Sequence, residues 1–305
     1  MVKATDYSSL NSTPQLQCAG DEPSTRRELA NAIRIGRQIN WHGKDGIPAW
    51  VHWQLSPLNK VYRPFVVVSD VTICVLTHST LSHGLREILA TCPKQPFVVG
   101  INGDAVSTGV KSVRIPWLGH GLSRNHLLAH VTTPYVLFTV DDATLFPDTL
   151  VRLRQTLESC AADAVVARQI PWPDASPIVR RRISRWTPYH SSPYQIEQCD
   201  NVATIYRTAQ LKENPFATVP IAEDALWSEG KTIYCDPLGL VLHSHDRNPR
   251  SLFWREYCIF RQLESHKALT GSEVYRSGLS ALRAHGVGEA LSAFAESLGA
   301  YWAHR

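Results

Sequence analysis

The sequence predicts an α/β fold: a mostly parallel central sheet flanked by helices, with helical additions at both ends. Three observations predict it. From residue 71 onward, uninterrupted β-branched and aliphatic runs recur, as expected of strands buried on both faces. Segments with apolar residues at helical spacing separate these runs. The links are short, and short-linked strand–helix alternation packs as a parallel sheet with crossover helices.

Each element follows from its residues. Residues 1–23 are polar and aperiodic and read as a tail. Thr25 and Glu28 form a capping-box pattern, and Leu29, Ala32, Ile33 and Gly36 continue at helical spacing, predicting a helix over 25–39. Residues 40–69 carry Trp41, Trp50 and Trp53 among glycines and prolines and read as irregular. The first strand is 71–76, and Leu81, Leu85, Ile88 and Leu89 mark the helix after it. Strands at 97–101 and 112–116, a helix at 122–130 and a strand at 135–140 follow. Pro147 opens a helix with Leu150, Leu153 and Leu157 on one face, and 164–168 is the next strand. Pro171, Pro173 and Pro177 then interrupt the alternation. The run Arg180-Arg181-Arg182 reads as a solvated face, or as an attractor for an anionic lipid or polyanionic acceptor. Further strands are expected at 203–206, 232–235 and 240–243, with helix from about 249 to the end.

Composition excludes several classes. With 44% hydrophobic and 19% charged residues the chain is neither disordered nor low-complexity. A net charge of +4 over 305 residues does not supply the clustered cations of a nucleic-acid binder. The seven cysteines form an odd set without a C-x-x-C pair, which fits neither a disulfide framework nor a zinc site. The amino terminus lacks the apolar core of a secretion signal, and no apolar run approaches the ~20 residues that span a bilayer. A cytoplasmic setting is expected, and peripheral membrane contact is compatible with it.

The chemistry concentrates where strands end. Open α/β sheets bind ligands beyond the carboxyl ends of their strands. Here those positions hold Thr77-His78-Ser79, Asn102-Gly103-Asp104 and Asp141-Asp142. Adjacent carboxylates repel unless a cation or donors offset them. A hard divalent ion, held by one or two carboxylates and otherwise by phosphate oxygens, suits the pair; a plain turn is the other reading. A rival comes from Gly119-His120-Gly121, which precedes a helix and has Asp141 about 20 residues on, in partial imitation of a dinucleotide fingerprint. Arg124 stands where that fingerprint has its third glycine.

Together, the motifs resemble family 2 glycosyltransferases of the GT-A fold. Gly121-Leu122-Ser123-Arg124-Asn125-His126, then Pro134 through Asp142, then Pro147-Asp148-Thr149-Leu150 are similar to that family's "A-R-N … G-x-Y-x-x-F-x-D-D-D … P-D-x-L" core. Ala222-Glu223-Asp224 resembles its acidic motif, and Val241-Leu242-His243-Ser244-His245 the "V-x-H-S-H" of rhamnosyltransferase-like members. The stretch from Ala167 to Pro177 also resembles those members. The resemblance covers about 71–262, which sets the expected boundaries: an N-terminal extension at 1–70, the GT-A domain at 71–262 and a C-terminal helical segment at 263–305.

The resemblance implies transfer of a sugar from a nucleotide-diphosphate donor to an acceptor hydroxyl, with inversion. Asp142 is then the leading ligand for Mn²⁺ or Mg²⁺, with Asp141 on the ribose or the metal and His243 or His245 completing the shell or touching the diphosphate. Asp224 is the implied general base. Glu223 would position it or share its role; a solvated helix start is the plain alternative for that pair. Thr77, His78, Asn102, Asp104, Arg124, Asn125, Asp141, Asn201 and His245 are the candidate donor-binding residues. The pattern departs in two places. Val140 replaces the first Asp of D-D-D, and Asn102 stands where an Asp usually reads the base. The acceptor class stays open among glycan, lipid carrier, natural product, peptide and modified nucleic acid, and the terminal helices are expected to offer a homo-oligomer surface. Two other function classes remain: a non-catalytic binding module of the same fold, and a nicotinamide-dependent oxidoreductase using residues 119–124.

Overall fold

Alternation of side chains across one large sheet organises the molecule. The computed structural model describes residues 65–78, 81–102, 111–172, 175, 177–244, 249–262, 271–285 and 287–303, all within one compact unit, Pro64–Arg305. The expected helix at 25–39, Trp41, Trp50 and Trp53, and the candidates Asp104 and His245 lie outside the described residues.

The strands are β1 (Val71–Thr77), β2 (Phe97–Ile101), β3 (Ser112–Arg114), β4 (Tyr135–Val140), β5 (Thr144–Leu145), β6 (Ala164–Ile170), β7 (Tyr194–Ile196), β8 (Ala203–Arg207) and β9 (Ile233–Leu242). They pair in the order β3-β2-β1-β4-β8-β6-β9-β5, with β7 also on β9. β1 to β4 are mutually parallel, and β6 and β9 run the same way. β8 lies between β4 and β6 and runs against both. β5 and β7 are antiparallel to β9. The helices are α1 (His83–Thr91), α2 (His120–Leu128), α3 (Thr149–Ser159), α4 (Pro177–Trp186), α5 (Thr208–Glu213), α6 (Glu223–Ser228), α7 (Pro249–Gln262), α8 (Gly271–His285) and α9 (Val287–Ala303).

Successive strand residues point to opposite faces. Ile73, Val75, Leu137 and Ile205 pack with Leu85 of α1 and Leu150, Leu153 and Leu157 of α3. Cys74, Val136, Phe138 and Tyr206 face the other way, onto Leu127 of α2, Leu211 of α5 and Trp227 of α6. Burying each large side chain contributes about 1.5–3 kcal/mol. Phe138, Tyr206, Phe216 and Trp227 meet edge to face, with centroids 4.9–6.4 Å apart, a geometry worth about 0.5–1.5 kcal/mol per pair beyond burial. The buried cysteines Cys74, Cys92, Cys199 and Cys235 serve as small hydrophobes of this core.

Two sequence expectations need correction. The strands expected at 232–235 and 240–243 are one strand, β9. The register with β6 jumps from Ala167↔Asp236 to Arg168↔Leu240, so residues 237–239 bulge out. Asp236 holds the bulge: its Oδ1 accepts from the N–H groups of Leu238 (2.9 Å) and Gly239 (3.0 Å), and its Oδ2 from the Thr156 hydroxyl (2.8 Å). The Asp-Pro-Leu-Gly run reads as a break because a turn-forming composition also suits a bulge. The helix expected from 249 to the end is divided into α7, α8 and α9 among the described residues.

Candidate functional site

The carboxyl ends of β1, β2, β4 and β6 meet at one edge of the sheet. Because β8 runs against β4 and β6, its amino-terminal end lies at that same edge, bringing Asp200 and Asn201 there. The Thr77 hydroxyl, at the end of β1, donates to Asp141 Oδ2 at 2.9 Å. Asn102 N–H, just beyond β2, donates to the Thr77 carbonyl at 2.7 Å. Thr77, Asn102 and Asp141 thus come together as expected of one site, with exposed His78 beside them.

The short strand β5 settles where Asp142 goes. Thr144 and Leu145 pair with Leu242 and Val241, so the residues just before β5 lie beside the residue just after β9. Asp142 Oδ1 and His243 Nε2 are 3.7 Å apart. That is long for a hydrogen bond and within the roughly 4.2 Å that two ligands on one cation can span with bonds of about 2.1 Å. Among the described residues no set of three or more His, Cys, Asp or Glu converges on one point. A Mg²⁺-like ion that keeps phosphate and water ligands needs only one or two carboxylates, so the donor set fits such an ion.

A second cluster carries Glu223 and Asp224 at the start of α6. Ala222 precedes them with φ +66°, a left-handed conformation uncommon for alanine. Asp224 is half-buried; its Oδ2 accepts from Asn201 N–H (3.0 Å) and its Oδ1 from Ala225 N–H (2.9 Å). Burial, and then the negative charge of Asp200, raise its proton affinity, while Arg124 and the two backbone donors act against that shift. Asp224 lines a cavity of about 360 Å³ with Trp186, His120, Arg255, Glu256 and Phe260. Glu223 is 2% exposed and engaged elsewhere: Arg124 Nη1 and Asn201 Nδ2 both donate to its Oε1.

Arg124 and Asn125, expected at the donor, make these contacts within the protein. The Arg124 guanidinium is buried in an ion pair with Glu223. The Asn125 amide is used in both directions, Nδ2 donating to the Phe216 carbonyl (2.8 Å) and Oδ1 accepting from its N–H (3.1 Å). Both residues brace the 216–223 segment that carries the acidic pair. Asn201 also works from within: Tyr206 Oη donates to its Oδ1 at 2.8 Å, and it is 1% exposed.

The same bracing removes the dinucleotide reading. His120 and Gly121, in the first turn of α2, donate their N–H groups to the carbonyls of Pro220 and Val219. A Cβ on Gly121 would collide with the Ala217 carbonyl oxygen, and one on Gly119 (φ +82°) would lie 2.8 Å from Pro220 Cα. These glycines let protein backbone approach the helix end, and that backbone occupies the place of a pyrophosphate.

The sequence did not single out Gln169, Asp200, His120 or Tyr206. Gln169 Nε2 donates to Asp200 Oδ2 at 2.6 Å, and Gln169 Oε1 lies 3.3 Å from His243 Nδ1. The two clusters are therefore joined: Asp142 to His243, to Gln169, to Asp200, and through the adjacent Asn201 N–H to Asp224. A polar pair ending the otherwise apolar β6, Arg168-Gln169, is the signal that marks Gln169. His120 sits edge-on to Trp117 at 5.0 Å, and its Nδ1 has no hydrogen-bond partner among the described residues. Burial, then the Arg124 charge, push its imidazole down to about 4.

No family model and no curated protein matches the chain. Among solved structures it is similar to S. aureus TarS 1–349 in complex with UDP-GlcNAc, at 16% identity over 69% of this chain and 70% of that one, TM-score 0.43. The same TarS fragment with UDP gives 17% identity over 69% of each chain, TM-score 0.44. The mannosyltransferase PcManGT from Pyrobaculum calidifontis, in complex with GDP-Man and Mn²⁺, gives 14% identity over 89% and 84%, TM-score 0.46.

Proposed function

We propose that the chain is a nucleotide-sugar-dependent glycosyltransferase of the GT-A type, family 2 and rhamnosyltransferase-like, acting with inversion. The observation that carries the reading is the joining of two sites at one sheet edge. A Thr77–Asp141 and Asp142–His243 cluster suits a cation and a diphosphate, and a carboxylate of raised proton affinity, Asp224, borders a cavity of about 360 Å³. Asp142 and His243 would hold Mn²⁺ or Mg²⁺, with Asp141 and Thr77 beside them, and His78 and Asn102 toward the nucleotide. When bound, the ion neutralises charge on the departing diphosphate. Asp224 takes the proton from the acceptor hydroxyl as its oxygen attacks the anomeric carbon from the face opposite the leaving group, which inverts that carbon. The proton ends on Asp224 Oδ, and the electron pair of the broken bond leaves with the diphosphate. Glu223 holds Arg124 and Asn201, and through Asn201 fixes the carboxylate orientation of Asp224.

The proposed domain lies at 71–262, with acceptor choice and self-association assigned to the flanking segments. No helix among the described residues is long and apolar enough to cross a membrane; a cytoplasmic location belongs to the same proposal. Calorimetry of the full chain with Mn²⁺ against UDP, dTDP and GDP tests the reading. Binding of one of them, weakened by Asp142→Asn, is expected, and absence of binding to all three removes it. Nucleotide binding without donor hydrolysis or transfer would favour a non-catalytic module.

A further inference from the structure

We propose that Gln169 is a positioning residue that fixes the tautomer of His243, placing the ring proton on Nδ1 and the lone pair on Nε2, toward Asp142. The carboxamide of Gln169 is buried, 6% exposed, between two partners. On one side is Asp200 Oδ2, at 2.6 Å from Nε2. An ionised carboxylate only accepts, so the amide nitrogen must face it; the flipped amide would set oxygen against oxygen. Asp200 is itself oriented, since its Oδ1 accepts from Val202 N–H at 3.1 Å. The orientation of the amide is thus settled by its neighbours' chemistry.

What remains on the other side is Gln169 Oε1, an acceptor, 3.3 Å from His243 Nδ1. An acceptor calls for a proton on that nitrogen. A neutral imidazole carries one N–H, so Nε2 keeps its lone pair, and it lies 3.7 Å from Asp142 Oδ1. For a neutral ring, that lone pair and the Asp142 carboxylate then face the same space, an arrangement that suits a cation there. Backbone bonds hold both partners in place. Gln169 N–H donates to the Thr187 hydroxyl at 3.1 Å, and His243 N–H donates to the Ile170 carbonyl at 2.9 Å. The geometry selects the Nδ1–H tautomer of the neutral ring; its consequence for a metal rests on the proposed function.

The test has two readouts on the full chain. Long-range ¹⁵N–¹H spectra of histidine-labelled, metal-free protein, with His243 identified by its loss in His243→Ala, should show the Nδ1–H tautomer. An Nε2–H ring or an imidazolium at about pH 8 overturns the proposal. Gln169→Leu should shift His243 toward the Nε2–H form, and Asp200→Asn, which frees the amide to flip, should do so partially. In Mn²⁺ titrations Gln169→Leu should weaken affinity roughly 10- to 100-fold, and Gln169→Leu with His243→Ala should bind no worse than His243→Ala alone. Unchanged Mn²⁺ affinity in Gln169→Leu rejects the positioning role. The Nδ1–H tautomer in a wild-type chain that binds no Mn²⁺ leaves the tautomer standing and removes the metal reading. The wild-type spectrum decides the tautomer even if the Gln169 variant does not fold.

Discussion

At the scale of single residues, neighbouring carboxylates are given opposite tasks by their surroundings. Glu223 is neutralised by a buried cation, whereas Asp224 feels burial and the charge of Asp200 more than it feels Arg124. Asp224 therefore binds its proton more tightly in the folded chain than in the unfolded one. Its contribution to stability is full below the unfolded carboxylate range and is lost as pH rises through the raised folded value. For the proposed catalysis the sign is the reverse: a base at Asp224 would work only above that value. The acid limb of kcat/KM should lie above the ordinary carboxylate range, and Asp200→Asn should move it to lower pH. An unmoved limb would show that Asp200 does not tune the base. Asp224→Asn should lower kcat by about 10²- to 10⁴-fold with nucleotide affinity retained, and full turnover would dismiss Asp224 as the base. The Arg124–Glu223 pair gives a separate test. Arg124→Met leaves a buried carboxylate uncompensated and should cost about 3–5 kcal/mol in urea unfolding, while adding Glu223→Leu should recover most of it. Equal losses in the single and double variants would mean that the pair is not the source.

At the scale of elements, what was legible in the sequence was whatever is written in periodicity. Apolar runs located β1, β2, β4, β6 and β8, because strands buried on both faces are predominantly apolar. The two-residue β5 carries no period, and it is the element that sets Asp142 beside His243. The sequence places Asp142 at a strand end but is silent on what lies across from it, since that depends on pairing with a strand about 100 residues later. The internal contacts of Arg124 and Asn125 are not legible in the sequence for the same reason. Nothing in their own segment announces that the backbone of 216–220 folds over it, although the glycines at 119 and 121 are the places where it makes contact. The bulge in β9 makes a quantitative case. Asp236, 4% exposed, satisfies two backbone N–H groups and the Thr156 hydroxyl. Asp236→Ala strands these donors and should cost at least about 1–3 kcal/mol. Thr156→Val should cost less, and its effect should vanish in the Asp236→Ala background. An additive pair in denaturant melts would refute the coupling.

At the scale of the whole molecule, the C-terminal helices raise the question of assembly. α9 has two faces of different character. Ser292, Ala295, Gly299, Ala300 and Ala303 are buried, and Gly299 lies so close to α7 that a Cβ would strike the Phe253 carbonyl oxygen. Arg182–Glu296, at 2.9 Å, ties the helix to α4. The large side chains lie elsewhere: Val287, Leu291 and Phe294, at the four–three spacing of a helical seam, are 42–67% exposed. α8 packs beside α9, with Gly278 against Phe294, and adds Tyr275 at 65% and Leu282 at 43% exposure. Side chains of this size hold on the order of 150–250 Å² each. With Trp302, 51% exposed, the face offers on the order of 600 Å² of apolar area, close to the roughly 800 Å² that one partner supplies to a standard interface. A two-helix face of that area and spacing would suit a second copy of itself about a two-fold axis, in a four-helix contact. The full chain should sediment as a dimer, and Leu291→Glu with Phe294→Glu should yield a folded monomer with nucleotide binding unchanged. A wild-type chain that stays monomeric at about 100 µM would reject self-association through this face, whereas a dimer that survives both charges would place the interface elsewhere.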